Sequence, residues 1–154
     1  MNATRPLKIF LGFAALLLGG CEFEAPITEK PTRGTDDKLV GTWKAVGDTD
    51  VMKVRQLDAA TYIVSYNGDL YSAHHSDLGG VPFVSVLHLD PNNRKHSLLT
   101  WRLSDADDRL TLRVVSSKVI PKETSSSAAL RALLEKEARN PELLGKEFHY
   151  TRGR

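Results

Sequence analysis

The sequence has one cysteine, no long apolar run and no excess of either charge. Because Cys21 is the only cysteine among the 154 residues, no disulfide can form within the chain. The longest apolar stretch spans residues 9–18, whereas a membrane-crossing helix needs about 20 apolar residues. The sequence contains no Gly-x-Ser-x-Gly elbow, P-loop, Gly-x-Gly-x-x-Gly loop or His-Glu-x-x-His pair. We therefore predict no catalytic residue, no cofactor and no metal ligand.

The charge balance argues against nucleic-acid binding. The chain has 21 Lys and Arg against 19 Asp and Glu. Arg5 and Lys8 lie within the first 20 residues, which contain no acidic residue, so the rest of the chain has 19 charges of each sign. A nucleic-acid-binding domain needs a basic patch with interleaved aromatic residues, and no such stretch is present.

The N-terminus has the pattern of a secretory signal. Arg5 and Lys8 precede the apolar stretch 9–18, and Gly19, Gly20 and Cys21 follow it. A basic start, a short apolar segment and small residues before a cleavage site predict a signal peptide over residues 1–20.

The ending Leu18-Gly19-Gly20-Cys21 resembles the lipobox of bacterial lipoprotein precursors. The resemblance implies cleavage between Gly20 and Cys21, and acyl chains such as palmitate on Cys21. Two or more acyl chains hold a protein stably on a membrane. The membrane is therefore the first binding partner that we expect for this protein. In that family an aspartate after the cysteine tends to retain the protein at the inner membrane. Glu22 stands there instead, which favours the outer membrane, facing the periplasm, within the cell envelope.

The remaining chain divides into a tether and one domain. Residues 21–38 contain Pro26, Pro31 and Gly34 and show no periodicity, which predicts a flexible tether. Residues 39–154 are enough for one core, and we predict a single β-rich domain.

The domain is predicted to be mainly β and antiparallel, with about eight strands. Apolar residues alternate with polar ones, turn residues recur every eight to twelve positions, and Asn67-Gly68 indicates a tight hairpin. A serine-capped helix is predicted over residues 126–139, before the last strand, with an apolar stripe. Eight such strands predict a small closed barrel. A strongly curved open sheet packed on the helix is the second alternative, and a two-sheet sandwich is the third. The apolar stripe predicted on the helix consists of Leu130, Leu133, Leu134 and Ala138.

The first strand of this domain resembles that of lipocalins. Gly41-Thr42-Trp43 is similar to their Gly-x-Trp signature, and lipocalins also have a helix before a final strand. The resemblance implies that Trp43 plugs the closed end of a barrel, with Arg152 or Arg113 stacked on it. The layout of Gly-Gly-x-x-Phe, His-Ser-Leu-Leu and terminal Tyr-x-Arg is also similar to uncharacterised bacterial lipoproteins.

The predicted interior is filled by large side chains and leaves little space for a ligand. Tyr62, Tyr66, Tyr71 and Trp101 could line a cavity, but alternating aromatic residues are more often plain core. The five histidines are interpreted as surface residues, and the acidic residues 105–108 as a solvated turn rather than a calcium loop. The expected inward set is Met52, Val54, Tyr62, Val64, Leu99, Trp101, Leu103, Leu110, Leu112 and Val114. The histidines are His74, His75, His88, His96 and His149.

Three functions remain open at this point. The first is a membrane-tethered, non-catalytic binding or interaction domain that contacts an unknown envelope protein. The second is a lipocalin-like carrier of a small apolar ligand. The third is an envelope enzyme whose site has no local motif. A cavity lined by the inward tyrosines would favour the carrier, and a filled core with an exposed apolar patch would favour the interaction domain.

Overall fold

The structure is a computed structural model that describes residues 22–153. The predicted signal peptide, its cleavage position at Gly20 and the lipidation residue Cys21 lie outside the described residues. The described part consists of nine strands and one helix, α1. The strands are β1 (Glu22–Phe23), β2 (Gly41–Ala45), β3 (Val51–Gln56), β4 (Tyr62–Tyr66), β5 (Asp69–His75), β6 (Phe83–His88), β7 (His96–Leu103), β8 (Arg109–Val115) and β9 (Leu144–Arg152), and α1 spans Ser127–Lys136.

Eight antiparallel strands close into a barrel. Each strand from β2 to β9 pairs with its sequence neighbour, and β9 also pairs with β2, so no edge of this sheet is left open. The predicted closed barrel is therefore confirmed, and the open sheet and the sandwich are excluded. The short strand β1 lies outside this ring of eight strands, and its two residues pair in antiparallel fashion with the start of β7.

Strand alternation places one apolar set inside the barrel. The predicted cross-strand wall is present, since Leu99 pairs with Val114, Trp101 with Leu112 and Leu103 with Leu110. These side chains belong to one core cluster, in which Trp43, Tyr62 and Leu110 are almost wholly buried. Because a strand's side chains alternate between its two faces, the neighbouring residues of β6 and β7 point outward.

A second core covers the outside of β6 and β7. Phe83 and Leu98 point outward from these strands and are buried under α1 and the N-terminal segment. Leu130 and Leu134 of α1 are buried in the same cluster. The side chain of Ser127 donates to the Pro26 carbonyl oxygen at 2.7 Å, which attaches the helix directly to the N-terminal segment.

The prediction of a flexible tether over residues 21–38 was wrong for the residues that the structure describes. Phe23 and Ile27 are fully buried in the outer core, and Ala25 is nearly so. The prolines concealed a short period-two pattern, in which these three apolar residues alternate with Glu24 and Pro26. The folded unit therefore begins at Glu22 and not at residue 39.

The helix is shorter than predicted. The hydroxyl of Ser126 caps it by accepting the Ala129 N–H at 3.1 Å, as the serine triplet indicated. The helix ends at Lys136 instead of residue 139, and the N–H of Glu137 bonds back to the Leu133 carbonyl. Ala138 consequently lies beyond the helix and is exposed, so it does not belong to the buried stripe.

Trp43 lies at one end of the barrel and is fully buried. Its Nε1 donates to the Leu39 carbonyl at 2.9 Å, and the Arg152 guanidinium stacks 4.3 Å from its ring. Of the two candidate arginines, it is therefore Arg152 that stacks, while Arg113 donates to carbonyl oxygens at the start of β9. A Cβ on Gly41 would lie 2.7 Å from Arg152 Nη1, which explains the glycine at this position.

Candidate ligand cavity

The interior of the barrel contains a cavity of about 100 Å³. Nine of the ten residues expected to fill the core line it, and the exception is Leu103. All four aromatic residues interpreted as plain core also line it. The prediction of a filled interior therefore misses this residual space. The lining consists of Leu39, Met52, Val54, Tyr62, Val64, Tyr66, Tyr71, Ala73, Val84, Val86, Leu99, Trp101, Leu110, Leu112, Val114, Phe148 and Tyr150.

The size of the cavity limits what it can hold. A water molecule occupies about 30 Å³ of liquid, and an apolar protein cavity of about 150 Å³ can bind benzene. Pockets for drug-sized ligands are typically about 300–1,000 Å³. A cavity of about 100 Å³ therefore suits a ligand of at most about six heavy atoms. A fatty acid would require the surrounding side chains to move.

The Trp43 end of the barrel has a polar floor. His75 is fully buried, and its Nε2 lies 2.7 Å from the Tyr62 hydroxyl. The same hydroxyl accepts the backbone N–H of Asp36, which belongs to the segment that crosses this end. Burial, and secondarily the positive charge of Arg33, lowers the pKa of His75 to about 4, so the ring is neutral at physiological pH.

Trp101 contacts this polar floor and also lines the cavity. Its ring centroid is 5.7 Å from that of His75, and the Arg33 guanidinium lies 5.6 Å from the Trp101 ring. Arg33 is itself paired with Asp77 through a 2.7 Å contact. Three buried polar atoms of this cluster have no hydrogen-bond partner, namely Trp101 Nε1, His75 Nδ1 and Asp77 Oδ1.

The opposite end of the cavity is surrounded by tyrosines. The hydroxyl of Tyr66 donates to Asp50 Oδ2 at 2.6 Å, and the Tyr71 ring lies 4.8 Å from the His88 ring. Burial raises the pKa of Tyr71 and of Tyr150 to about 12, and raises that of Tyr66 further. These hydroxyls therefore stay protonated and neutral at physiological pH.

Hydroxyl side chains outside the barrel hold the N-terminal segment in place. Ser76 Oγ lies 2.7 Å from Thr28 Oγ1 and 2.8 Å from Ser85 Oγ, and Ser85 also accepts the Ile27 N–H at 3.0 Å. His74 reaches the same segment through the Thr28 carbonyl at 2.8 Å. This arrangement joins the segment to β5 and β6, which accounts for the buried serines structurally.

The histidines do not all lie at the surface. His75 is completely buried, so its interpretation as a surface residue was wrong, whereas His149 is exposed. Alternation from Tyr71 through Ala73 already placed His75 on the inner face of β5, and this signal was overlooked. Within residues 22–153, no three His, Cys, Asp or Glu side chains form a group that could hold a metal ion.

A wider concavity of about 760 Å³ lies where β7, β8 and β9 meet. Its lining includes the exposed side chains of Arg102, Asp105, Arg109 and His149. These side chains are polar and exposed, which distinguishes this surface from the apolar cavity inside the barrel. No helix in the described part of the chain is both long enough and apolar enough to cross a membrane.

Comparison of the chain with protein-family models, curated proteins and solved structures gives no match. The function is therefore argued from the geometry of the barrel. A closed antiparallel barrel with an internal cavity is compatible with lipocalin-like binding.

Proposed function

We propose that the protein is a lipid-anchored envelope protein whose barrel binds a small, mainly apolar molecule without catalysis. The observation that carries this proposal is the cavity inside the barrel, whose seventeen lining residues are all apolar or aromatic. Of the three functions open from the sequence, a cavity lined by inward tyrosines favours the carrier.

The exposed apolar residues give less support to a pure interaction domain. Within residues 22–153, four large apolar side chains are exposed, and they occupy separate turns and strands instead of one element. Isolated exposed apolar residues are normal on a soluble surface, whereas an interaction site needs a contiguous patch. The four are Val46, Leu57, Leu70 and Val81.

The proposed anchor would hold the barrel close to the bilayer. Cys21 immediately precedes β1, and Glu22 pairs with Ser97 at the start of β7. A lipid on Cys21 would therefore be joined to the folded unit without an intervening tether. Glu22 in the position after the cysteine supports the outer membrane as the location, through the lipoprotein resemblance.

The size of the cavity sets the expected affinity. Burying six CH₂-sized groups contributes about 5 kcal/mol, which corresponds to a Kd of about 0.2 mM. A natural ligand of this size would therefore bind reversibly, as a carrier requires. The probe for this estimate is benzene, which a cavity of similar size accepts.

The proposal is tested by filling the cavity from β5. Ala73 is buried and lines the cavity, so Ala73→Leu adds three carbons to the space. Ser72 precedes it and points to the opposite face, so Ser72→Leu is a matched control with the same new side chain. Benzene binding is followed through the chemical shifts of the lining methyl groups. We expect saturable binding by the native chain and by Ser72→Leu, and none by Ala73→Leu.

Two results would contradict the proposal. The first is that benzene shifts no lining resonance in the native chain, and the second is that it binds Ala73→Leu as well as the control. A thermal unfolding curve for each variant confirms that the barrel is intact before binding is compared. Native mass spectrometry of protein from its own host then identifies any molecule that copurifies.

A further inference from the structure

Two hydrogen-bonding atoms beside the apolar cavity have no partner. Trp101 lines the cavity, and its Nε1 is buried without an acceptor. His75 lies beside it at the barrel floor, is fully buried, and has no partner at Nδ1. Buried polar groups in native proteins are nearly always hydrogen-bonded, so an unpartnered pair next to a cavity needs an explanation.

The contacts of Tyr62 identify both atoms as donors. The Tyr62 oxygen accepts the Asp36 N–H, and its own proton needs an acceptor because the side chain is buried. The acceptor within hydrogen-bond distance is His75 Nε2, at 2.7 Å. When Nε2 of a neutral imidazole accepts, the proton is on Nδ1, so Nδ1 is a donor, as is Trp101 Nε1.

We propose that Trp101 and His75 form a hydrogen-bonding subsite at the floor of the cavity, selective for small apolar ligands that carry one neutral acceptor, such as a ketone. This inference rests on the proposed function, because it assumes that the cavity admits a ligand. Trp101 Nε1 and His75 Nδ1 provide two N–H donors, as many as a carbonyl oxygen has lone pairs. Trp101 borders the cavity directly, and His75 lies next to Trp101. The apolar lining accommodates the rest of the molecule.

A neutral acceptor fits the subsite better than a carboxylate. The Arg33 guanidinium lies over the Trp101 ring, but it already pairs with Asp77 and is partly exposed. The remaining lining of the cavity offers no cation to a buried anion. Moving an ionised carboxylate into such surroundings costs several kcal/mol unless a charge compensates it, whereas a carbonyl needs only the two donors.

The test compares two ligands of equal shape. Cyclopentanone has the proposed carbonyl, and methylenecyclopentane replaces its oxygen with a CH₂ group. We expect cyclopentanone to bind about tenfold more tightly, because it gains one to two neutral hydrogen bonds. The full chain is labelled with ¹⁵N, and binding is followed by the indole resonances. The sequence has two tryptophans, so each spectrum contains an internal reference.

The indole signals report the contact directly. The Trp101 N–H resonance should move downfield with cyclopentanone and not with the hydrocarbon. The Trp43 resonance should stay fixed, because its N–H is already bonded to the Leu39 carbonyl. Trp101→Phe keeps a ring and removes one of the two donors, so the preference for the ketone should fall from about tenfold to about threefold, because the His75 donor remains.

The outcomes separate this inference from the proposed function. Equal affinity of both ligands for the native chain, with an unmoved Trp101 resonance, would overturn the subsite and leave cavity binding intact. That result is expected if a tightly held water satisfies both donors. Binding of neither ligand would overturn both proposals. A ketone preference that is undiminished in Trp101→Phe would exclude Trp101 as a donor.

Discussion

The buried N-terminal segment can be tested by Phe23→Ala. Phe23 is fully buried between α1 and the outer face of β6 and β7, in the same cluster as Leu98 and Leu130. Truncating a buried phenylalanine typically costs about 3–5 kcal/mol, because transfer energy is lost and a cavity remains. Since domains of this size are stable by about 5–15 kcal/mol, this one change should remove a large part of the total.

The measurement is urea unfolding of residues 22–154, followed by far-ultraviolet circular dichroism. We expect the urea concentration at the midpoint of unfolding to fall, while the dependence of the unfolding free energy on urea stays near that of the native chain. This combination indicates a loss of stability without a change in two-state behaviour. Glu29→Ala is the control from the same segment, because Glu29 is exposed. Its effect should lie within about 0.5 kcal/mol.

The reasoning would be refuted by a Phe23→Ala midpoint equal to that of Glu29→Ala. Such a result would mean that the segment is a tether in solution, as its prolines suggested. Ile27→Ala gives an independent check, since Ile27 is also fully buried and its backbone carbonyl accepts from Arg131.

Three further predictions concern the barrel end, the buried histidine and the anchor. Trp43→Ala should lower the free energy of unfolding by about 3–5 kcal/mol in urea, because it also removes the surface on which Arg152 stacks. The pKa of His75, lowered from 6.5 to about 4, means that only the unfolded state binds this proton between those values. Stability should therefore fall by up to about 3 kcal/mol as pH falls through that window, and unfolding of His75→Gln should lack this component while His149→Gln retains it. Cys21→Ala should leave an uncut, unlipidated precursor by intact-mass analysis, and an unmodified full-length native chain would exclude the lipoprotein proposal.

The barrel itself could be predicted from strand alternation. The inward residues of β7 and β8 are at the positions that the pattern indicates, and Leu99 and Val114 face each other as expected. Closure was a weaker inference, because it depends on β9 pairing with β2 across more than one hundred residues. A count of eight strands favours closure, but only the register proves it.

The outer core was harder to predict from the sequence than the barrel. The segment that contains Phe23 and Ile27 is apolar at alternate positions, but it is short and interrupted by Pro26. Proline removes a backbone donor and signals the end of regular structure, so the local pattern predicted a tether. Its burial is a tertiary effect, since the covering residues Leu130 and Leu134 lie more than one hundred positions away.

The polar floor depends on contacts that no local motif records. His75 and Trp101 are twenty-six positions apart, on strands that are not neighbours, and each has an ordinary structural interpretation alone. Alternation placed Trp101 inside the barrel, whereas His75 was interpreted as a surface residue, and the sequence did not show which atoms of the two side chains would lack a partner. That property depends on Tyr62 occupying one side of His75, which only the three-dimensional arrangement reveals.

The N-terminal segment links the proposed anchor to the proposed subsite. Its first residues cover the outside of β6 and β7, and its later residues cross the floor of the barrel. There the Thr32 N–H bonds the His75 carbonyl, and the Asp36 N–H bonds the Tyr62 hydroxyl. Because the second bond directs the Tyr62 proton toward His75, the segment that follows Cys21 also fixes the donor state of the floor. Detaching that segment should therefore weaken ketone selectivity before it opens the barrel, since the eight-stranded ring is closed without it.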